Sequence, residues 1–214
     1  MNGKQLFIKR MSDISFSALL LVITSPILLV SAILAKIGSE ATALYRSKRI
    51  GKGGQEFVMY KLRSMVKDAD KMLSKMQDLN EGGPHMVKIP KDPRTTLVGR
   101  FLRRYSIDEL PQLWNVLKGD MSLVGPRPQA PNEVALYNDY QRRRLEVLPG
   151  ITGLWQITAR DNADFDQWVR LDIEYIDTWS LWFDTKIALK TIWVILEGKG
   201  GEVSDRKPQL ETGD

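Results

Sequence analysis

Ile14-Ser-Phe-Ser-Ala-Leu-Leu-Leu-Val-Ile-Thr-Ser-Pro-Ile-Leu-Leu-Val-Ser-Ala-Ile-Leu-Ala35 is an uncharged run of 22 residues near the start of a 214-residue chain. A helix needs about 20 apolar residues to cross the hydrocarbon core, so length permits a membrane span. A secretory signal has a shorter apolar region, and no convincing Ala-x-Ala cleavage site follows this one. Ser25-Pro26 stands at its centre, where proline removes a backbone donor and kinks or breaks a helix. Lys4, Lys9 and Arg10 precede the run, and Lys36, Arg46, Lys48 and Arg49 follow it. Basic flanks stay on the cytoplasmic side, so both ends read as cytoplasmic. Two arrangements are open: a helix that enters, breaks at Ser25-Pro26 and leaves by the same face, and an ordinary kinked span with a short outer tail. The chain divides accordingly into a membrane-associated segment over 1–38, a cytosolic domain over 39–197 and a polar tail over 198–214.

Composition narrows the function classes. The formal charge is +5, and the basic residues cluster near the apolar run and around Asp108-Glu109. Such a balance suits anionic partners, namely a membrane surface or a nucleotide. Nucleic acid is not expected as a partner, because no helix-turn-helix, zinc-finger or aromatic RNA-binding signature is present. There are no cysteines, which removes disulfides, thiolate metal sites and a cysteine nucleophile together. His85 is the one histidine, in a Gly-Gly-Pro-His loop, so no histidine triad or zinc site is expected. Acid, base and nucleophile must come mainly from carboxylates.

The remainder reads as an α+β domain, mostly helical. Residues 43–50 and 56–63 look like two strands joined by Gly51-Lys-Gly-Gly54, a small hairpin. Helical spacing follows over 66–79, and 81–94 reads as a loop with Gly82-Gly83-Pro84. Short helices are expected over 95–104 and 109–118, and a longer one over 131–147 that stops at Pro149-Gly150. Gly153–Thr158 reads as extended. Helices resume over 165–178 and 184–196, carrying Trp168, Trp179, Trp182 and Trp193. Tryptophan favours the headgroup level, so these helices are read equally as surface helices lying on the membrane and as core.

The chemistry concentrates between Arg94 and Pro128, where arginines, two adjacent carboxylates and a Pro-Arg-Pro corner fall together. Guanidinium groups hold phosphate, and carboxylates carry a hard cation or attack phosphorus. Ser106-Ile-Asp-Glu109 also fits a capping box, a purely structural reading. Arg100, Arg103 and Arg104 just before it favour a phosphate site, and a positive helix N-terminus there would depress a carboxylate pKa. Adjacent helical residues point about 100° apart, so Asp108 and Glu109 are expected to take separate tasks, one nucleophilic and one metal-binding. Pro126-Arg127-Pro128 fixes the backbone on both sides of an arginine. The stretch Pro149–Arg160 offers amides, Gln156 and Arg160 as a nucleotide or sugar contact surface. Arg170-Leu-Asp-Ile-Glu-Tyr175 reads on its own as a solvated helix face.

Taken together, these stretches resemble the monotopic phosphoglycosyl transferases, the bacterial sugar transferases that start polysaccharide assembly on a polyprenyl phosphate. The matching pieces are Lys9-Arg10-x-x-Asp13 with Ser25-Pro26, Tyr60-Lys-Leu-Arg-Ser-Met65, Ser106–Leu113, Asn115–Pro128, Pro149–Gln156 and Arg170-Leu-Asp172. They span roughly residues 6–197 in the family's order, without the extra N-terminal spans and regulatory domain of larger members. The resemblance implies a two-step exchange: Asp108 attacks the β-phosphate of a UDP-sugar and releases UMP, and polyprenyl phosphate then collects the sugar-phosphate. It implies Glu109 as a ligand of Mg²⁺, and Lys61, Arg63, Arg103, Pro126, Arg127, Pro128, Gln156, Arg160 and Asp172 as the substrate- and phosphate-binding set. It also implies re-entry at Ser25-Pro26, a place in the bacterial inner membrane with the site on the cytosolic face, and downstream glycosyltransferases as partners. The end of the chain resembles members that use galactose or glucose, and a homodimer through the late helices is compatible with the pattern. Two rivals remain, a membrane-anchored scaffold and a lipid-diphosphate phosphohydrolase.

Overall fold

A computed structural model describes residues 3–39, 41–73, 75–80, 87, 89, 91–160 and 164–199. Most of the expected 81–94 loop, His85 included, and nearly all of the 198–214 tail lie outside those residues. The chain opens with α1 (Gly3–Ser39), a helix of 37 residues and so about 55 Å long. It is long and apolar enough to cross a membrane.

The helix continues through Ser25-Pro26 instead of stopping there. Proline at position 26 cannot donate to the Val22 carbonyl. The Ser25 hydroxyl donates to that carbonyl at 2.8 Å, and Thr24 donates to Leu20 at 2.7 Å. The serine thus takes over the bond the proline cannot make, and the helix survives its centre.

The faces of α1 are the reverse of those of a water-soluble helix. Asp13, Ser17, Ser31, Ala35 and Ser39 are buried, at spacings that keep them on one stripe. Val22, Ile23, Leu29 and Val30 stand exposed. Both ends dock on the same domain. Near the start, Lys9 donates to the Val124 carbonyl and to Asp184, Arg10 donates to the carbonyls of Val116 and Leu117, and Asp13 accepts from the Leu123 amide. Near the end, Ala35 packs with Leu62 and Leu102, and Leu28 and Ala32 join them.

The hairpin is as expected: β1 (Leu44–Ile50) pairs antiparallel with β2 (Glu56–Leu62), Arg46 opposite Tyr60. Among the described residues of the 66–79 segment, the helical pieces are α2 (Ala69–Leu73) and a 3-10 turn at Gln77–Leu79. Next come α3 (Leu97–Arg104), a 3-10 turn at Ile107–Glu109 and α4 (Gln112–Lys118). A second, parallel ladder joins β3 (Ser122–Val124) to β4 (Gly150–Thr152). These three-residue strands were not foreseen, because so short a run carries no readable period.

Two expectations are corrected. The single helix over 131–147 is instead α5 (Pro131–Val134), α6 (Asp139–Arg142) and a 3-10 turn at Arg143–Glu146. Asn138 interrupts it: its side chain accepts from the Gln141 amide, and the Gln141 side chain accepts from the Asn138 amide. That reciprocal cap starts a new helix rather than continuing the old one. The extended piece at 153–158 is α7 (Leu154–Thr158), whose Trp155 ring stacks on Trp168 at 4.0 Å. The chain ends in α8 (Phe165–Thr178) and α9 (Leu181–Leu196). Trp155, Phe165, Trp168, Val169 and Ile173 form the largest apolar core around α7 and α8.

Helix α3 crosses the end of β2 in close contact. A Cβ on Gly99 would lie 1.8 Å from the Ser64 carbonyl oxygen. Gly99→Ala therefore forces α3 away from the strand. We expect a loss of roughly 2–3 kcal/mol in denaturant unfolding, in the range of an overpacked contact, with the hairpin itself intact.

Candidate functional site

The site forms where β2, the Ile107–Glu109 turn and the loop after β3 meet. Asn115 of α4, fully buried, accepts from the Tyr60 amide and donates to the Val58 carbonyl. Those bonds hold β2 against α4 and turn Lys61 toward the turn. Lys61 Nζ donates to Glu109 Oε1 at 2.8 Å, and Arg127 Nη2 donates to the same oxygen at 3.0 Å. Glu109 therefore ties a strand to the Pro-Arg-Pro corner across three separate segments.

The capping reading of Ser106 does not hold. Ser106 adopts φ +52°, in the left-handed region, and its side chain makes no capping bond. Glu109 is engaged with the two cations instead. A serine at positive φ stores roughly 1 kcal/mol or more of strain, and this strained residue sits two positions before Asp108.

Asp108 is buried, 6% exposed. Burial pushes its carboxyl up to about 6, Lys61 pulls it back, and the neighbouring Glu109 charge adds to the rise. Arg103 and Arg127 pull in the same direction as Lys61. The expected lowering by a helix N-terminus is outweighed by desolvation. Glu109 goes the other way. Burial opposes its ionisation, but Arg127 and Lys61 outweigh that cost and hold its carboxyl well below the usual range. Two adjacent carboxylates are thus driven apart: Glu109 is held as an anion, and the Asp108 carboxyl is pushed up to about 6.

Arg103 belongs to the site. Its Nε donates to Ser64 Oγ at 2.8 Å, which fixes the side chain beside Asp108. Arg160 bears on the Glu109 charge and donates to the Lys199 carbonyl at 3.0 Å. Pro126 and Pro128 frame Arg127 above a small cavity of about 10 Å³ that Tyr137 and Arg144 also line. Other expected residues lie elsewhere. Arg63 donates to the carbonyl and hydroxyl of Thr42 and covers the Tyr45 ring. Gln156 is buried under β4, donating to the Ile151 carbonyl. Asp172 is fully buried, paired with Arg144 at 2.8 Å, rather than on a solvated face. Sequence reasoning missed Arg144 altogether, because Arg142-Arg143-Arg144 gives no sign of which arginine turns inward.

Among the described residues, no group of three or more His, Asp or Glu side chains could hold a metal ion. The Glu109 carboxylate is a hard oxygen donor of the kind that suits Mg²⁺ shared with substrate phosphates, which is how this ion is usually bound.

Buried Asp108 and half-buried Glu109 thus lie among Lys61, Arg103 and Arg127, on a domain that packs against a helix long and apolar enough to cross a membrane. The chain belongs to the bacterial sugar transferase family, whose model matches residues 4–198. It is similar to a protein named galactosyl transferase CpsE from Streptococcus agalactiae, 50% identical over 75% of this chain and 36% of that protein. It is similar to an undecaprenyl-phosphate galactose phosphotransferase from Salmonella typhimurium, 42% identical over 91% of this chain and 41% of that protein. It also resembles the exopolysaccharide production protein ExoY from Rhizobium meliloti, 37% identical over 90% of this chain and 87% of that protein. The chain thus spans well under half the length of the first two relatives and most of the third.

The raised Asp108 carboxyl has a stability consequence. Its folded pKa lies above the unfolded one, so the stability it contributes is present at low pH and is lost as pH rises through about 6. Asp108→Asn removes that loss. Thermal unfolding of the variant at pH 7 is expected to show a gain on the order of 2 kcal/mol, shrinking to nothing below about pH 4.

Proposed function

We propose that this protein moves a sugar-1-phosphate from a UDP-sugar to a polyprenyl phosphate, giving a polyprenyl diphosphate sugar and UMP. The observation that carries this reading is the buried Asp108 set among Lys61, Arg103 and Arg127 beside the membrane-type helix. Family membership and relatives named galactose and glucose-1-phosphate transferases support the reaction class.

The proposed route has two displacements. An Asp108 carboxylate oxygen attacks the β-phosphorus, the bond from that phosphorus to the bridging oxygen breaks, and UMP leaves with the electron pair. A phosphate oxygen of the polyprenyl phosphate then attacks the same phosphorus and releases the Asp108 carboxylate. Asp108 is suited to the role because its burial strips water from the carboxylate while leaving it largely ionised at pH 7. Lys61, Arg103 and Arg127 supply positive charge where two anionic substrates meet. Glu109 holds Lys61 and Arg127 in place through the oxygen they share. Glu109 is the residue that would hold Mg²⁺, which when bound would supply further positive charge against the leaving group.

The membrane geometry supports a lipid acceptor. Both ends of α1 dock on one domain, so a helix that left by the far face would have to pull part of that domain through the bilayer. We infer that α1 bends at Pro26 without ending there, and so enters and leaves by the same, cytosolic face of the bacterial inner membrane. The exposed Trp182, Leu189, Ile192, Trp193 and Leu196 of α9 suit a helix lying on the surface beside it. An apolar hollow of about 400 Å³ between α1 and the residues flanking the site, lined by Leu28, Leu44, Tyr60, Pro111 and Trp114, suits an isoprenoid chain.

Purified protein with Mg²⁺, undecaprenyl phosphate and a panel of UDP-sugars should release UMP with one or two donors, galactose or glucose among them. Asp108→Asn should lose at least a thousandfold in rate. Inorganic phosphate in place of UMP would support a phosphohydrolase, and silence with every donor would contradict the reading. The chain has no cysteine, so topology can be read from single cysteines at Lys4 and Lys52. An impermeant maleimide should label both from the cytosolic side, and labelling of position 4 only from the opposite side would establish a span.

A further inference from the structure

Pro126 and Pro128 have no amide hydrogen, so the loop that presents Arg127 is held largely by its carbonyls. The Pro126 carbonyl accepts from the Gly150 amide at 2.9 Å, and the Gln129 carbonyl accepts from the Ile50 amide at 3.0 Å. Between them, the Arg127 carbonyl accepts from a side chain, Arg144 Nη2, at 3.2 Å. The two ends of Arg127 thus meet different partners, Arg144 at the carbonyl and Glu109 at the guanidinium.

Arg144 is itself tightly fixed. It is 4% exposed, and its Nε and Nη2 both lie 2.8 Å from Asp172 Oδ2. Its Nη1 donates to the Tyr137 hydroxyl. The rings of Tyr137 and Phe165 each lie 5.6 Å from its guanidinium carbon. A buried ion pair is a poor way to gain stability, because desolvation cancels most of its attraction. Its planar fork is, however, a good way to hold one direction.

We propose that Arg144, oriented by Asp172, is a positioning residue that sets the angle at which Arg127 faces the reacting phosphate. Asp172 then acts on the reaction without touching substrate, and its role passes through two other side chains. This rests on the proposed transfer reaction, since it gives Arg127 a task to be positioned for. Lysine at 144 keeps the positive charge beside Asp172 but has a single ammonium, which cannot serve Asp172 and the Arg127 carbonyl with a rigid fork. Arg144→Lys is therefore a variant that keeps the buried charge paired and releases the loop.

Two measurements test this. Amide exchange followed by mass spectrometry, which needs no turnover, should speed up at least fivefold over residues 125–130 in Arg144→Lys, with α8 unchanged. Unaltered exchange there overturns the proposal, whatever reaction the enzyme performs. The second is a double-mutant cycle on UMP release. Arg144→Lys should lower kcat/KM roughly tenfold in the parent but less than twofold in an Arg127→Ala background. Equal loss in both backgrounds, or no loss in the parent, shows that Arg144 does not act through Arg127. Asp172→Asn, the second variant, should repeat the same non-additivity. A parent that releases no UMP with any donor would instead overturn the transfer reaction, and the exchange result would still decide the hold on the loop.

Discussion

One carboxylate oxygen organises this site. Glu109 Oε1 receives Lys61 from the hairpin and Arg127 from the loop after β3, segments 66 residues apart in sequence. Without it, the Lys61 and Arg127 cations would simply repel each other. Coulomb repulsion is worth about 4 kcal/mol for a pair near 4 Å at an effective dielectric of 20. Glu109 turns that repulsion into a fixed arrangement, and the cations in turn make it a permanent anion. Asp108, the residue before it, is biased the other way, chiefly by burial. The two adjacent acids therefore differ because the cations outweigh the burial of Glu109 but not that of Asp108.

The helix α1 contributes more than attachment. Its Lys9, Arg10 and Asp13 bind the ends of α4 and β3, the two elements that follow the Asp108-Glu109 turn and precede the Pro-Arg-Pro loop. Arg10 donates to carbonyls at the C-terminus of α4, where a cation is favoured by the helix dipole. The long apolar helix and the segments that carry the candidate site are thus one packed unit. The same helix turns Asp13, Ser17, Ser31 and Ser39 inward and Leu19, Leu20, Leu29 and Leu34 outward, an order that suits lipid as the solvent on the outer side.

The parts of this arrangement legible in sequence are those with local signals. The uncharged run fixed a membrane-length helix, Gly51-Lys-Gly-Gly54 marked the hairpin, and the arginines around Asp108-Glu109 marked the site. The broken 131–147 region was misread because Asn138 caps a new turn in the middle of an apparently helical pattern. The 153–158 helix was misread because five residues carry too little periodicity. Asp172 was misplaced for a different reason. Its burial depends on Arg144 arriving from 28 residues earlier, and no local pattern announces a buried ion pair. The opposed biases of Asp108 and Glu109 were equally invisible, since adjacency predicts different directions but not which acid the cations choose.

The central claim is that Asp108 carries the transferred group. Protein mixed with its UDP-sugar donor in the absence of lipid acceptor, quenched in acid within a second and digested, can be read by mass spectrometry. The account predicts a hexose-phosphate mass added to the peptide containing Asp108, absent when that residue is asparagine and discharged when polyprenyl phosphate is supplied before the quench. An enzyme that releases UMP only when the acceptor is present, with no adduct on that peptide at any time, would contradict it.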